Sequence, residues 1–185
     1  EEDRVVFNRR FWMKDGTLRT NPGVGNPEVV KVAGPVDPEV GVLCMQQPDG
    51  EPIGVLANYS LHYVGGGDDQ RAVSADYFGA FSTLIQRLRG GSFVAALSNG
   101  ACGDINNINV LGNARNKNDR YQHAERVAAL VAADALWVWN GMEFKEDALL
   151  GAAMEEVVLE RKPAPSEADV ARAQEIEEKG KGTMA

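Results

Sequence analysis

This sequence contains little cysteine, and its acidic residues outnumber its basic ones. Cys44 and Cys102 are the only cysteines among 185 residues, which excludes a disulfide framework, and we interpret both as buried thiols. Asp and Glu number 27 against 19 Lys and Arg, and the formal net charge is -8 at pH 7. A nucleic-acid-binding surface needs a basic patch, so we expect no nucleic-acid partner.

Long apolar runs and a leader pattern are missing as well. No apolar stretch approaches the roughly 20 residues that span a bilayer, so we expect no transmembrane segment. The first residues, EEDRVVFNRR, have no signal-peptide pattern. Hydrophobic residues make up 44% of the chain and charged residues 25%, a composition typical of a globular domain with a core.

Several chemical motifs are also absent. There is no G-x-S-x-G turn, so we expect Ser98 to bond nearby backbone at the end of a strand. The segment GVGNPE lacks the third glycine of a dinucleotide-binding loop. An EF-hand interpretation fails because Ile108 stands where an oxygen ligand is needed. Neither His62 nor His123 has a partner at metal-ligand spacing, and we interpret His123 as a surface or boundary residue.

The apolar patterns that are present predict an α/β fold with a mixed, partly parallel sheet flanked by helices. The predicted elements are a hairpin turning at 48–50, a helix over 77–89, a strand over 92–98 buried on both faces, a helix over 117–140 ended by Gly141, and a strand over 152–160. Residues 1–40, rich in Gly, Pro and Asn, are expected to be mostly extended loop. Residues 41–160 would form the core, and 161–185 a polar terminal helix beginning after Ser166.

The order of these elements predicts a site at one edge of the sheet. If strand 53–60, helix 77–89 and strand 92–98 form a parallel crossover, both strands end at the same edge. His62 follows the first strand, and the loop SNGACGDINN follows the second. The helix would also begin there, with Asp76 as its cap, and its free N–H groups would favour an anion or oxyanion.

Two features of this region leave alternatives open. His62 is either a hydrogen-bonded structural residue or a ligand. Arg9 and Arg10 are either a solvated pair of cations or a clamp for a carboxylate or oxyanion.

Several stretches together resemble the neutral, non-lysosomal ceramidase family. FNRRF and NPGVGNP resemble an Asn-Arg element that precedes a Pro- and Asn-rich loop in that family. PDGEPIGVLANYSLHY resembles its strand pair with a closing histidine, and VSADYFGAF resembles its Ser-x-Asp element before a helix. FVAALSNGACGDINN resembles the strand and loop that carry the family's nucleophile. The resemblance covers roughly residues 5 to 140.

The resemblance implies a zinc-dependent hydrolase that acts on an amide or related acyl bond of a lipid-like substrate. His62 would be a zinc ligand, and Arg9 would stabilise the oxyanion. The expected substrate contacts are Asn99, Gly103, Asp104 and Asp76. The family also implies a secreted or periplasmic location, and the chain would be a single domain or an excerpt of the family's larger N-terminal α/β domain.

Two departures from the family bear on mechanism. Asn106 occupies the position of the nucleophilic serine, and an amide cannot be deprotonated to attack a carbonyl, so Asn106 is expected to position substrate or water. The family's other zinc ligands, a histidine, a glutamate and a tyrosine, have no counterpart in this chain. A degenerate family member, a structural domain and a sugar-binding module that uses the Asn-rich 104–118 loop are the alternative interpretations.

Overall fold

The computed structural model describes residues 1–65, 73–112 and 120–181. It divides the chain into two compact units, Glu1–Glu146 and Asp147–Ala185. The strands are Phe7–Asn8 (β1), Arg10–Met13 (β2), Leu18–Thr20 (β3), Val29–Val32 (β4), Val40–Gln46 (β5), Pro52–Tyr59 (β6), Val94–Asn99 (β7) and Ile105–Asn106 (β8). The helices are Asp76–Arg89 (α1), Arg120–Gly141 (α2) and Glu167–Lys181 (α3). The mixed α/β class predicted from the sequence is confirmed.

The main sheet has the order β5-β6-β7 and combines both kinds of pairing. β5 and β6 form the predicted antiparallel hairpin, and β6 pairs with β7 in parallel from Gly54↔Val94 to Tyr59↔Asn99. At the hairpin turn Gly50 has a φ of 92°, and its N–H donates to the carbonyl of Gln47. Only glycine adopts this conformation without strain, which is why the turn forms at this position.

Helices α1 and α2 pack against each other and against the sheet. On α1, Tyr77, Phe81 and Ile85 recur every four residues and are fully buried, as an amphipathic helix requires. On β6, Val55, Ala57 and Tyr59 alternate inward. Each fully buried large apolar side chain contributes about 1.5 to 3 kcal/mol, so this cluster is the main source of stability in the first unit. The helix predicted over 77–89 and its end at Gly90 are confirmed.

The prediction that strand 92–98 is buried on both faces is wrong. Ala95 faces the helices, whereas Val94 on the opposite face is 68% exposed. Leu43 and Leu56 lie on the same exposed face as Val94. The continuous apolar run misled because its residues alternate between the two faces, and Val94 lies on the face that no other described element covers.

Most of residues 1–40 lie outside regular strands, but this stretch also contains four short strands that the sequence did not predict. β2, β3 and β4 form a small antiparallel sheet in the order β3-β2-β4, and β1 pairs with β8. Phe11 and Met13 are buried while Arg10 and Trp12 are exposed, so a two-residue apolar alternation specifies β2. Glycines with positive φ, including Gly16, occupy the connections rather than the strands.

The second unit contains one helix in its described part. Ser166 caps α3 because its hydroxyl accepts the Asp169 N–H at 3.2 Å, while the Asp169 carboxylate accepts the Ser166 hydroxyl at 2.6 Å. The predicted terminal helix is confirmed. The strand predicted over 152–160 is wrong, because no described strand offers it backbone hydrogen bonds and its side chains are exposed. None of the helices in the described ranges is long and apolar enough to cross a membrane.

Candidate functional site

The loops after β6 and β7 meet at the carboxyl edge of the main sheet, as the sequence predicted. The Gly100 N–H donates to the Tyr59 carbonyl at 3.1 Å, and the Val64 N–H donates to Asn107 Oδ1 at 2.7 Å. A Cβ at position 100 would force the Ser60 hydroxyl to move, so glycine favours this close approach. Two segments separated by about forty residues are thereby held as one surface.

Helix α1 begins at the same edge. The Tyr77 hydroxyl donates to the Leu61 carbonyl at 3.2 Å, which ties the first turn of the helix to the loop that carries His62. Burial raises the pKa of Tyr77, so its phenol stays protonated as a donor. The prediction that Asp76 caps the helix is wrong. Ala75 is the capping residue and makes no side-chain bond, while Asp76 is the first helical residue and has a φ of 47°.

His62 presents its side chain to solvent at this edge. Leu61 before it is fully buried, and Tyr63 after it lies between two rings, 5.7 Å from Tyr77 and 6.0 Å from His123. The backbone on both sides of His62 is therefore anchored, while the imidazole is exposed. This arrangement suits a residue that meets a partner outside the protein core.

Arg9 contacts the loop after β7 at two places. Its backbone N–H donates to the Asp104 carbonyl at 2.8 Å, and its Nη2 donates to the Gly103 carbonyl at 2.6 Å. Within the described residues its Nε is buried and has no hydrogen-bond partner. A guanidinium has five N–H groups, so most of the donors of Arg9 are not used by these contacts.

Asp104 is fixed from the other side by the first strand. Asn8 donates through Nδ2 to Asp104 Oδ2 at 3.0 Å and to the Pro35 carbonyl at 3.1 Å, and its Oδ1 accepts the Arg10 N–H. Asn8 is 3% exposed, so these bonds satisfy a buried amide. Sequence reasoning missed Asn8, although FNRRF placed it beside the predicted Arg9.

Asn106 is fully buried. Its Nδ2 donates to Asn21 Oδ1 at 2.8 Å, and its Oδ1 accepts the Ile108 N–H at 2.9 Å. Asn107 is 1% exposed, and its Oδ1 accepts the Val64 N–H. The amides proposed for sugar binding are thus engaged within the protein at these two positions, and residues 113–118 of that loop lie outside the described residues.

The remaining predicted residues lie around this edge. Asn99 ends β7 and is exposed, and Gly103 is exposed beside Arg9. Ser98 accepts the Asn58 amide at 2.8 Å and donates to the Ala57 carbonyl at 3.3 Å, which confirms the structural role predicted for it. Arg9, Gly103, Asp104 and Asn106 are brought together by the β1–β8 pair, and His62 lies in the adjoining loop.

The described residues do not by themselves form a zinc site. No three His, Cys, Asp or Glu side chains come together in residues 1–65, 73–112 and 120–181. A zinc ion in a catalytic site takes three protein ligands, so His62 is at most one of them. Burial raises the pKa of Cys44 to about 11, which disfavours the thiolate that zinc would require.

Two solved structures have a fold similar to that of this chain. No protein-family model and no curated protein matches the chain. The neutral ceramidase from Pseudomonas aeruginosa is similar over 65% of this chain and 19% of its own, with 20% identity and a TM-score of 0.50. A ceramidase complexed with C2 is similar over 76% of this chain and 21% of its own, with 18% identity and a TM-score of 0.54. The chain thus spans about a fifth of these structures, and its fold is similar to part of the ceramidase fold.

Proposed function

We propose that this chain forms part of a ceramidase-like hydrolase that cleaves an amide or related acyl bond. The observation that carries the proposal is the joining of the β6 and β7 loops at the carboxyl edge of the sheet, with Arg9 bound to the second loop. Open α/β sheets bind their ligands at this edge. The similarity to ceramidases over part of their fold supports a lipid-like acyl amide as substrate.

Arg9 would bind the oxyanion that forms as the acyl carbonyl is attacked. Its Nη2 bond to the Gly103 carbonyl holds one end of the guanidinium, its backbone bond to the Asp104 carbonyl holds the main chain, and other N–H groups remain for a ligand. A positioned cation next to the developing charge stabilises the transition state more than the ground state. Asn99, Gly103, Asp104 and Asp76 would contact the substrate around it.

Asn106 would contribute by fixing the conformation of its loop. Because its amide is buried and bonded to Asn21 and Ile108, it holds the turn that carries Gly103 and Asp104. An amide is no nucleophile, so the serine-based attack of the ceramidase family is replaced by attack of water. We therefore propose Asn106 as a positioning residue.

His62 would supply one ligand to a zinc ion whose other ligands lie outside the described residues. Such an ion, when bound, polarises a carbonyl and lowers the pKa of a bound water. The exposed imidazole beside the anchored Leu61 is available for this role. We also propose a secreted or periplasmic location, in line with the resemblance to neutral ceramidases.

The test is amine release from N-acyl substrates by the full-length protein, with zinc measured in the same samples. We expect chelator-sensitive hydrolysis that falls more than about 100-fold in His62→Ala, because losing a ligand costs more than losing an outer partner of a metal site. Gln122→Ala, at an exposed position of α2, is the control and should keep both zinc and activity. Retained activity in His62→Ala would contradict the proposal. Folded, zinc-free and inactive protein would instead favour a binding or structural domain.

A further inference from the structure

The small sheet β3-β2-β4 leaves one of its two faces exposed. Residues directly opposite each other in antiparallel strands lie on the same face, and Trp12 is opposite Leu18 on one side and Lys31 on the other. Arg10, two positions before Trp12 on β2, shares that face. Trp12 is 42% exposed and Leu18 is 47% exposed. We call Arg10, Trp12, Leu18 and Lys31 the outer face of this sheet.

The charge of this sheet is opposite in sign to that of the whole chain. Residues 10–32 contain four basic and two acidic side chains, whereas the chain has a formal net charge of -8. Two of the basic residues are paired with nearby carboxylates, as Lys14–Glu28 and Arg19–Asp15. Arg10 and Lys31 form no ion pair within the described parts of the chain. The outer face therefore keeps two uncompensated cations beside an exposed tryptophan.

This combination of side chains fits the surface of an anionic bilayer. Tryptophan favours the headgroup level of a membrane, and exposed Lys and Arg side chains are attracted to anionic lipids. A nucleic acid would use Arg10 and Lys31 but would gain nothing from Leu18, because phosphate contacts dominate its binding. The exposed apolar side chains and the cations are both used only at a lipid surface.

The outer face is held rigid by packing on its other side. Phe11 and Met13 alternate with Arg10 and Trp12 along β2 and are buried against Val110. The strands are therefore ordered before any bilayer is bound. Docking of a preorganised face loses less conformational entropy than docking of a mobile segment.

One end of the outer face adjoins the candidate catalytic edge. Arg10 directly follows Arg9, which bonds the loop after β7. Thr20 lies opposite Arg10 and is followed by Asn21, whose Oδ1 accepts the Asn106 amide at 2.8 Å. A bilayer in contact with this face is thus adjacent to the edge at which the proposed hydrolysis takes place.

We propose that the outer face docks onto a membrane surface that carries anionic lipids, with Trp12 and Leu18 at the headgroup level and Arg10 and Lys31 against the lipid anions. Docking itself is independent of hydrolysis. Its use in presenting a lipid-like substrate to the neighbouring edge rests on the proposed function.

The first experiment is co-sedimentation of the full-length protein with phosphatidylcholine vesicles that contain either no anionic lipid or about 30% phosphatidylserine. We expect binding to the anionic vesicles alone, and its loss near about 1 M salt, where exposed charges are screened. Arg10→Gln and Lys31→Gln should each weaken binding about fivefold, because each removes one cation from the membrane surface. Lys145→Gln, at an exposed lysine outside the outer face, is the matched control and should bind as the wild type does.

The second experiment tests whether Trp12 reaches the bilayer. Brominated phosphatidylcholine in the anionic vesicles quenches the emission of tryptophans that contact lipid. The quenched fraction should fall in Trp12→Phe and stay unchanged in Trp137→Phe, which removes a tryptophan that is 80% exposed on α2. Both variants keep an aromatic ring, so a difference between them reports position rather than folding.

Equal binding to the two kinds of vesicle, unchanged binding in Arg10→Gln and Lys31→Gln, or unchanged quenching in Trp12→Phe would each overturn the proposal. Tighter binding to a DNA duplex than to the vesicles would assign the face to nucleic acid and overturn it too. A dimer that Lys31→Gln dissociates would likewise assign the face to a second copy of the chain.

Hydrolysis of a short-chain, water-soluble N-acyl substrate is measured separately and should not change in Lys31→Gln. Protein that binds anionic vesicles through the outer face but hydrolyses no substrate would contradict the proposed function and support the docking surface. The two proposals therefore fail on different measurements.

Discussion

His62 and Asn106 lie in neighbouring loops at one edge of the same sheet, yet the protein uses their side chains in opposite ways. The imidazole of His62 is exposed, with its flanking backbone anchored by Leu61 and Tyr77. The amide of Asn106 is fully buried and bonded on both sides. The loop after β6 therefore exposes a side chain, whereas the loop after β7 buries its amide and offers its backbone to Arg9.

This contrast predicts that stability and activity respond to different loops. Substitutions in the buried amides should lower the free energy of unfolding, and substitution of the exposed histidine should not.

Asn106→Ala should lower the free energy of unfolding by about 2 to 3 kcal/mol, because two hydrogen bonds are lost and the Ile108 N–H is left without its acceptor. Urea denaturation measures this change. Asn109→Ala, at an exposed asparagine of the same loop, is the control and should change stability by less than about 0.5 kcal/mol. An unchanged midpoint in Asn106→Ala would show that the amide does not support the loop.

Asn107→Ala should cost about 1 to 2 kcal/mol, because it removes the acceptor for the Val64 N–H that joins the two loops. Amide hydrogen exchange at Val64 is the specific measurement, and protection there should fall more than at Ala57 in β6. Equal protection of Val64 in the variant and the wild type would refute the proposed link between the loops.

Tyr77→Phe should cost about 1 kcal/mol at neutral pH through loss of the bond to the Leu61 carbonyl. Burial raises the pKa of both Tyr77 and Tyr59 in the folded state. The folded protein therefore holds these protons more tightly than the unfolded chain. Their contribution to stability is complete below the unfolded pKa of about 10 and is lost as the pH rises above it. Unfolding measured from pH 8 to 11 should show a decline that is shallower in Tyr77→Phe.

In chelator-treated protein, where no bound zinc adds to stability, His62→Ala should change the free energy of unfolding by less than about 0.5 kcal/mol, because the side chain is exposed and its neighbours hold the backbone. Thermal denaturation of the variant beside the wild type checks this. A loss comparable to that of Asn106→Ala would place His62 in a structural network and remove the contrast between the loops.

The sequence predicted the main sheet and the edge at which its loops meet because local signals there agree with the tertiary structure. The PDG turn, the four-residue periodicity of Tyr77, Phe81 and Ile85, and the order strand–helix–strand all favour one topology. The convergence of His62 with the 98–107 loop follows from that topology alone.

Other features depend on contacts that no local pattern records. The short strands within residues 1–40 form because Phe11 and Met13 pack with Val110, almost a hundred positions away. The burial of Asn106 follows from pairing β8 with β1, which the composition of the loop does not indicate. Residues 152–160 have strand composition but no paired strand among the described residues, since composition supplies no partner.

The most direct test of the proposed hydrolase compares His62→Ala with Asn106→Ala in the full-length protein, measuring amide hydrolysis and unfolding free energy on the same preparations. We expect His62→Ala to lose hydrolysis and bound zinc and to unfold with the same free energy as the chelator-treated wild type. We also expect Asn106→Ala to lose stability but to retain measurable hydrolysis where it is folded. Hydrolysis that persists in a stable His62→Ala protein would contradict the account.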